Sequence, residues 1–269
     1  MTGPTLAVRT VIRTLAACVA FLAIAGAVVM YVKLGLGHDS VYGLVRRFDL
    51  DAEMNIPTWF SSGLLLISAG LYGYIALRAW AEGDRFRRHW RGLALIFLVM
   101  SIDETAGLHG LMTKPLRTSL HLTGIFYYSW VLPVMVGLAL FLISYARFIW
   151  HLPSHTRKWM VLSGIVYVSG ALGGELAEGA YKSAVGIDVV FGTLTVIEET
   201  LEMAGATMLI YTLVTYIAAR WGELRLAAPS SAYGYSSRST AAGAAPIARA
   251  AGTAHAPAPS TSRASATPL

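Results

Sequence analysis

Residues 90–110 read WRGLALIFLVMSIDETAGLHG, and the architecture turns on whether this stretch crosses a membrane. From Trp90 to Met100 it carries one charge, Arg91, among apolar residues, which is the composition of a helix that crosses hydrocarbon. Then come adjacent acids, Asp103 and Glu104, and after them His109. An acid at the centre of a membrane helix costs on the order of 2.5 to 3.5 kcal/mol on insertion scales. Either the stretch is not a span, or its acids have a task there.

The rest of the chain favours a span. Of 269 residues 55% are hydrophobic and 13% charged, against about 25% charged in an ordinary soluble domain. Six apolar stretches, at roughly 14–35, 57–79, 91–110, 124–148, 159–184 and 189–218, reach or approach the length of about 20 residues needed to cross a bilayer. The expected fold is an all-α polytopic membrane bundle of six transmembrane helices. It divides into an N-terminal segment, 1–13, a transmembrane domain, 14–221, and a disordered tail, 222–269, rich in Ala, Ser and Pro and without the apolar periodicity needed to fold. The first apolar run exceeds the roughly 7 to 15 residues of a signal-peptide core, so it is read as a retained signal-anchor. The single cysteine, Cys18, excludes an intrachain disulfide and a cysteine-rich metal cage.

Charge gives orientation. Arg9, Arg13, Arg78, Arg85, Arg87, Arg88, Arg91, Arg147, Arg157, Lys158, Arg220 and Arg225 fall on one side, and Lys33, Arg46, Arg47, Lys114, Arg117 and Lys182 on the other. The positive-inside rule then places both termini in the cytoplasm and the chain in the inner (plasma) membrane. The net charge of +6 is thereby a matter of topology, and nucleic acid is not an expected partner. Trp59, Trp80, Trp90, Trp150, Trp159 and Trp221 suit aromatic belts at the interfaces. Pro133 is expected to kink the fourth span. His89, His151 and His155 are expected to be solvated in cytoplasmic loops.

The acids carry the chemistry. Asp103 and Glu104 in the third span, Glu175 and Glu178 in the fifth, and Glu198, Glu199 and Glu202 in the sixth all lie within apolar stretches, with no Lys or Arg expected at the same depth. At about 1.5 Å per residue all seven fall in the outer half of the bilayer. The outer loop FDLDAEMNIPTWFSS adds Asp49, Asp51, Glu53 and Asn55, with Pro57 suited to a first helical turn. Glu175 with Glu178, and Glu199 with Glu202, share helix faces. Asp103 and Glu104 diverge by about 100°, so at most one faces a common centre. His109 lies about 140° from Glu104 on a straight helix. It can join the acids only if the backbone yields at Gly107.

Three functions remain open. The first is a metal site, with a pair of irons as one form of it, in a membrane enzyme acting on a lipid or apolar substrate. Its ligands would be Glu53, Asp103, Glu104, His109, Glu175, Glu178, Glu199 and Glu202, and carboxylates with imidazole suit iron, zinc or manganese. The second is a proton- or cation-coupled transporter of a cationic or apolar small molecule, since intramembrane acids mark such paths. The third is a structural or accessory subunit, its acids protonated and hydrogen-bonded to Ser101, Thr105, Thr200, Tyr127 and Tyr181.

The strings DLDAEMNIPTWFSS, RHWRGLALIFLVMSIDETAGLH, GGELAEGAY and IEETLEMAG resemble those of a family of uncharacterised bacterial multi-pass membrane proteins, some labelled multidrug transporters. The resemblance covers roughly residues 45–218. In that family an acid often follows the histidine, where this chain has Gly110. The resemblance implies a membrane fold and no particular activity.

Overall fold

The structure, a computed structural model, describes residues 6–222. The first five residues and the chain from 223 onward, which includes nearly all of the expected tail, lie outside the described residues. Among the described residues all regular structure is helical. Helix α1 spans Leu6–Met30 and runs into a π-helical turn, Tyr31–Gly35, followed by a short α2, Leu44–Phe48. Next come α3, Ile56–Ala81, α4, Arg87–Ala106, and α5, Gly110–Leu120. A 3-10 turn, Gly124–Phe126, precedes α6, Val131–His151. Helix α7, Ser154–Val168, passes through a π-helical segment, Ser169–Gly174, into α8, Glu175–Ala184, and α9, Val189–Trp221, completes the bundle.

Five segments are long and apolar enough to cross a membrane: Val8–Gly35, Ile56–Ala81, Val131–His151, Ser154–Ala184 and Val189–Trp221. The remaining expected span, the third at 91–110, is one only if α4 and α5 count together, because the two are bent by 83°. Gly107 makes the bend. It takes the left-handed conformation, φ 58°, and closes α4 by donating its N–H to the Asp103 carbonyl at 2.7 Å, a conformation glycine adopts without strain. Helix α1 begins at Leu6, so part of the segment expected to precede the bundle is helical.

The fourth span also starts later than expected, at Val131 rather than near 124. Pro133 is therefore in its first turn, where a missing N–H forfeits no helical bond, and it kinks nothing. Two other helix starts follow local chemistry. Asn55 accepts the Thr58 N–H at 3.1 Å, with Pro57 in the first turn of α3. Asp188 accepts the N–H groups of Val190 and Phe191 at 2.9 and 3.0 Å to open α9.

Helix α9 is the axis of the bundle and packs on α1, α3 and α7, while α3 and α4 form an antiparallel hairpin. Ser62 and Ser101 stitch that hairpin: each hydroxyl donates to the other's carbonyl, at 2.7 and 2.9 Å. Gly205 lets α9 touch α7, since a Cβ there would stand 2.6 Å from the Tyr167 nitrogen. The late part of α3, the start of α4 and the ends of α6 and α9 enclose an aromatic core of Tyr72, Trp90, Phe148 and Tyr216. Trp90 is 1% exposed, so it is a core residue and not part of an interfacial belt. Trp59, Trp80 and Trp150 are exposed, as a belt requires. His89 is likewise not free in a loop but half-buried: it stacks on Phe148 at 5.5 Å and meets Tyr145 edge-on at 5.2 Å. Both corrections have one cause, that the end of α6 folds Tyr145 and Phe148 over the start of α4.

Candidate functional site

The opposite ends of the same helices build something different. The first turn of α3, the end of α4, the start of α8 and the early part of α9, together with the loop 49–53, surround a chamber of about 330 Å³. Its wall includes Asp51 and Glu53 from the loop, Glu104 from α4, Glu175 and Glu178 from α8, and Glu198 and Glu199 from α9. His109, Tyr128, Trp130 and Thr195 also line it.

Glycines bring the two glutamate-bearing helices together. In the segment SGALGG, Gly170 and Gly174 face α9: a Cβ at Gly170 would lie 2.7 Å from the Glu198 carbonyl oxygen, and one at Gly174 would lie 2.7 Å from the Glu198 side chain. Their four-residue spacing is the small-xxx-small pattern of close membrane packing. The π-helical winding here resets the phase of α8, as such bulges often do at functional sites. Glu175 and Glu178 follow at once.

His109 reaches the acids because α4 breaks. Past Gly107, the His109 backbone N–H donates to Asp103 Oδ1 at 2.8 Å, and its ring Nδ1 lies 3.0 Å from Asp103 Oδ2. A neutral imidazole in this pairing carries its proton on Nδ1, which leaves the Nε2 lone pair free. The ring also packs on Trp130, with centroids 4.7 Å apart. The neighbouring acids thus divide their work as their angular separation requires. Glu104 lines the chamber beside Ser61, and Asp103 holds the histidine. Glu53 closes over the bend, its carboxylate occupying the space a side chain at Gly107 would need.

Of the expected ligands, Glu53, Glu104, His109, Glu175, Glu178 and Glu199 come together on the chamber wall. Asp103 does not; it serves His109. Glu202 does not either, being 9% exposed, one turn deeper on α9 and paired with the half-buried Tyr167. Glu198, left out of the expected ligand set, is on the wall. Among the described residues no group of three or more His, Cys, Asp or Glu side chains is placed so that it could hold a metal ion. Trp130, absent from the sequence reading, donates its indole N–H to Glu175 Oε1 at 3.0 Å. Its sequence signal is slight: it is one more aromatic in the segment 124–130, which reads as the start of a span and instead roofs the chamber.

Four of the hydroxyls expected to satisfy the acids are spent elsewhere. Ser101 and Thr105 bond Ser62, Thr200 bonds the Val196 carbonyl of its own helix, and Tyr181 bonds Asp188. Buried carboxylate oxygens are left over: Glu175 Oε2, Glu178 Oε1 and Glu198 Oε2 have no hydrogen-bond partner among the described residues. Glu178 and Glu198 are 5% and 8% exposed, so bulk water does not serve them. Nor is the region free of basic residues, as the sequence suggested. Lys182, on α8 one turn past Glu178, and Lys33, which pairs with Asp49 at 2.7 Å, stand at the chamber's rim. At that rim burial pushes the carboxyl of Asp51 above its usual range, against the pull of Lys33.

No curated protein and no solved structure matches the chain. A family model does match, over residues 14–217, and it covers every residue of the chamber. The chain belongs to that family, described as Domain of unknown function (DUF8692).

Proposed function

We propose that this protein is an integral inner-membrane protein, both termini cytoplasmic, that binds a divalent metal ion in the acidic chamber and uses it on a lipid or other apolar substrate entering from the bilayer. One observation carries the reading: three buried, partnerless carboxylate oxygens, from Glu175, Glu178 and Glu198, belong to one cavity. A buried acceptor without a partner costs about 1 to 3 kcal/mol, and more when charged, so three in one place call for a cation. Oxygen donors with one imidazole suit iron, manganese or zinc. Glu104, Glu175, Glu178, Glu198, Glu199 and His109 Nε2 are the proposed ligands, reaching the ion by side-chain rotation. Asp103 is the proposed partner that fixes the histidine tautomer, as carboxylates do behind metal-bound imidazoles.

A bound ion would supply a Lewis acid or a redox centre. The chain's own groups would hold it, and the chamber has room for more than the ion, since about 330 Å³ is roughly ten times the share of liquid volume taken by one water. The closed aromatic core at the far end of α9, with Tyr72, Trp90, Phe148 and Leu213 all at 2% exposure or less, favours a site entered from one end over a path across the membrane. Elemental analysis of the detergent-purified protein tests the reading. A stoichiometric transition metal, lost in Glu178→Gln and Glu198→Gln variants that remain folded, is the expected result; a metal content that these variants leave unchanged would sink it.

A further inference from the structure

The chamber has a cation of the protein's own at its rim. Lys182 follows Glu178 by four residues on α8, the spacing at which an acid and a base on a helix ordinarily pair. Here they do not. Lys182 Nζ donates to the Tyr128 hydroxyl at 3.0 Å and lies 5.2, 5.1 and 5.4 Å from the ring centroids of Tyr127, Tyr128 and Phe191. Among the described residues no carboxylate oxygen stands within 4.0 Å of it. Aromatic faces attract an ammonium through their quadrupoles, but unlike a carboxylate they leave its charge intact. The charge therefore still acts on Glu175, Glu178 and Asp51 across the rim.

Resting on the cation-binding reading above, we propose that Lys182 is a tethered competitor that sets the affinity of the chamber and selects for doubly charged ions. Held in the cage of Tyr127, Tyr128 and Phe191, the ammonium leaves the carboxylates to a diffusible ion. Swung on its flexible four-carbon stem toward Glu178, it occupies them itself. An ammonium competes on equal terms with a monovalent ion and at a disadvantage against a divalent one, because attraction to the carboxylates scales with charge. The aromatic composition of the cage suits this role. A ring binds the ammonium weakly enough to release it, where an acid at the same place would hold it permanently.

Manganese(II) binding to the detergent-solubilised full chain, followed by electron paramagnetic resonance titration, tests this. Lys182→Met is expected to tighten binding about tenfold or more, the effect of one unit charge several ångströms away at an effective dielectric of about 20. Lys182→Arg, which keeps the charge, is expected to stay within about threefold of wild type. Opening the cage with Tyr127→Leu and Phe191→Leu together should weaken binding, and adding Lys182→Met to that background should restore it. Equal affinities for wild type and Lys182→Met would overturn the proposal, as would a cage defect that persists without the lysine. If the cage variant does not fold, the Met and Arg pair at position 182 still decides. Failure of every variant to bind manganese is a different outcome: it removes the cation-binding reading, and this proposal with it.

Discussion

The two ends of α9 meet opposite surroundings. Toward its C-terminus, Leu209, Leu213, Tyr216 and Ile217 are buried with Tyr72, Trp90 and Phe148 in an apolar cluster. Toward its N-terminus, Thr195, Glu198 and Glu199 face a polar chamber with other glutamates across it. A single helix thus serves as packing at one end and carries acids into a polar chamber at the other. Residues that maximise stability fill the first end, while the second keeps buried carboxylate oxygens without partners that no stability argument requires. Strain left in place where the remainder of the fold can bear it is a common mark of function.

Substitutions that exchange what each end tolerates put this contrast at risk. The largest effect is expected at the packed end: Trp90→Ala removes the centre of the aromatic cluster, and a loss of about 3 to 5 kcal/mol should appear as a collapse of the thermally stable, monodisperse fraction in detergent. Next is the seam that connects the ends. Gly205→Ala places a methyl 2.6 Å from the Tyr167 backbone nitrogen and should cost about 1 to 3 kcal/mol, measured as a lower melting temperature. At the chamber end the sign reverses. Glu198→Gln should leave the melting temperature unchanged or raise it, because a buried carboxylate with one oxygen unpartnered is replaced by a neutral amide, while manganese binding falls about tenfold or more, the loss of one charged ligand. A marked destabilisation would mean that Glu198 is structural and the contrast between the ends is false.

Smaller effects bear on the histidine and on the cap of α9. Asp103→Asn keeps the shape but not the charge beside His109 Nδ1, and should weaken metal binding about 10- to 100-fold, the usual range for such supporting partners. An unchanged affinity would separate His109 from the site. The smallest effect belongs to Asp188, held below the usual carboxylate range by the Phe191 N–H, the Tyr181 hydroxyl and the Val190 N–H. A depressed folded-state value means that its contribution is complete above the unfolded carboxylate range and is lost as pH falls through the depressed folded value. Asp188→Ala should therefore slightly lower the melting temperature near neutral pH, and the difference from wild type should vanish under strong acid.

Much of this organisation was legible in the residues. Composition alone indicates a helical bundle of long apolar segments, and depth along each span gathers acids from α4, α8 and α9 at one end, where the chamber is. What periodicity could not supply was the backbone event at Gly107. On a straight helix His109 points away from Glu104, and only the left-handed glycine with the 83° bend turns it toward the chamber. The same limit applies to Trp130. An apolar sequence from 124 onward looks like hydrocarbon, and nothing local shows that its first residues form a roof before α6 begins at Val131. Lys182 stands near the glutamates because it follows Glu178 by one turn of α8; what counting charges by loop could not foresee is the packing of α8 against the 3-10 turn, which sets Tyr127 and Tyr128 around its ammonium. Angles between neighbouring acids were more informative: they predicted that one of Asp103 and Glu104 would leave the common centre, and Asp103 does.

At the heart of the proposed function, carboxylates of the chamber and His109 Nε2 bind one cation together. Pulsed electron paramagnetic resonance of the manganese-loaded protein gives the sharpest test, because an imidazole nitrogen in the coordination sphere modulates the echo and oxygen ligands do not. Nitrogen modulation is expected in wild type and should disappear in His109→Gln, with manganese still bound through the glutamates at lower affinity. A spectrum of hydrated manganese alone, unchanged by His109→Gln and by Glu178→Gln, would contradict it.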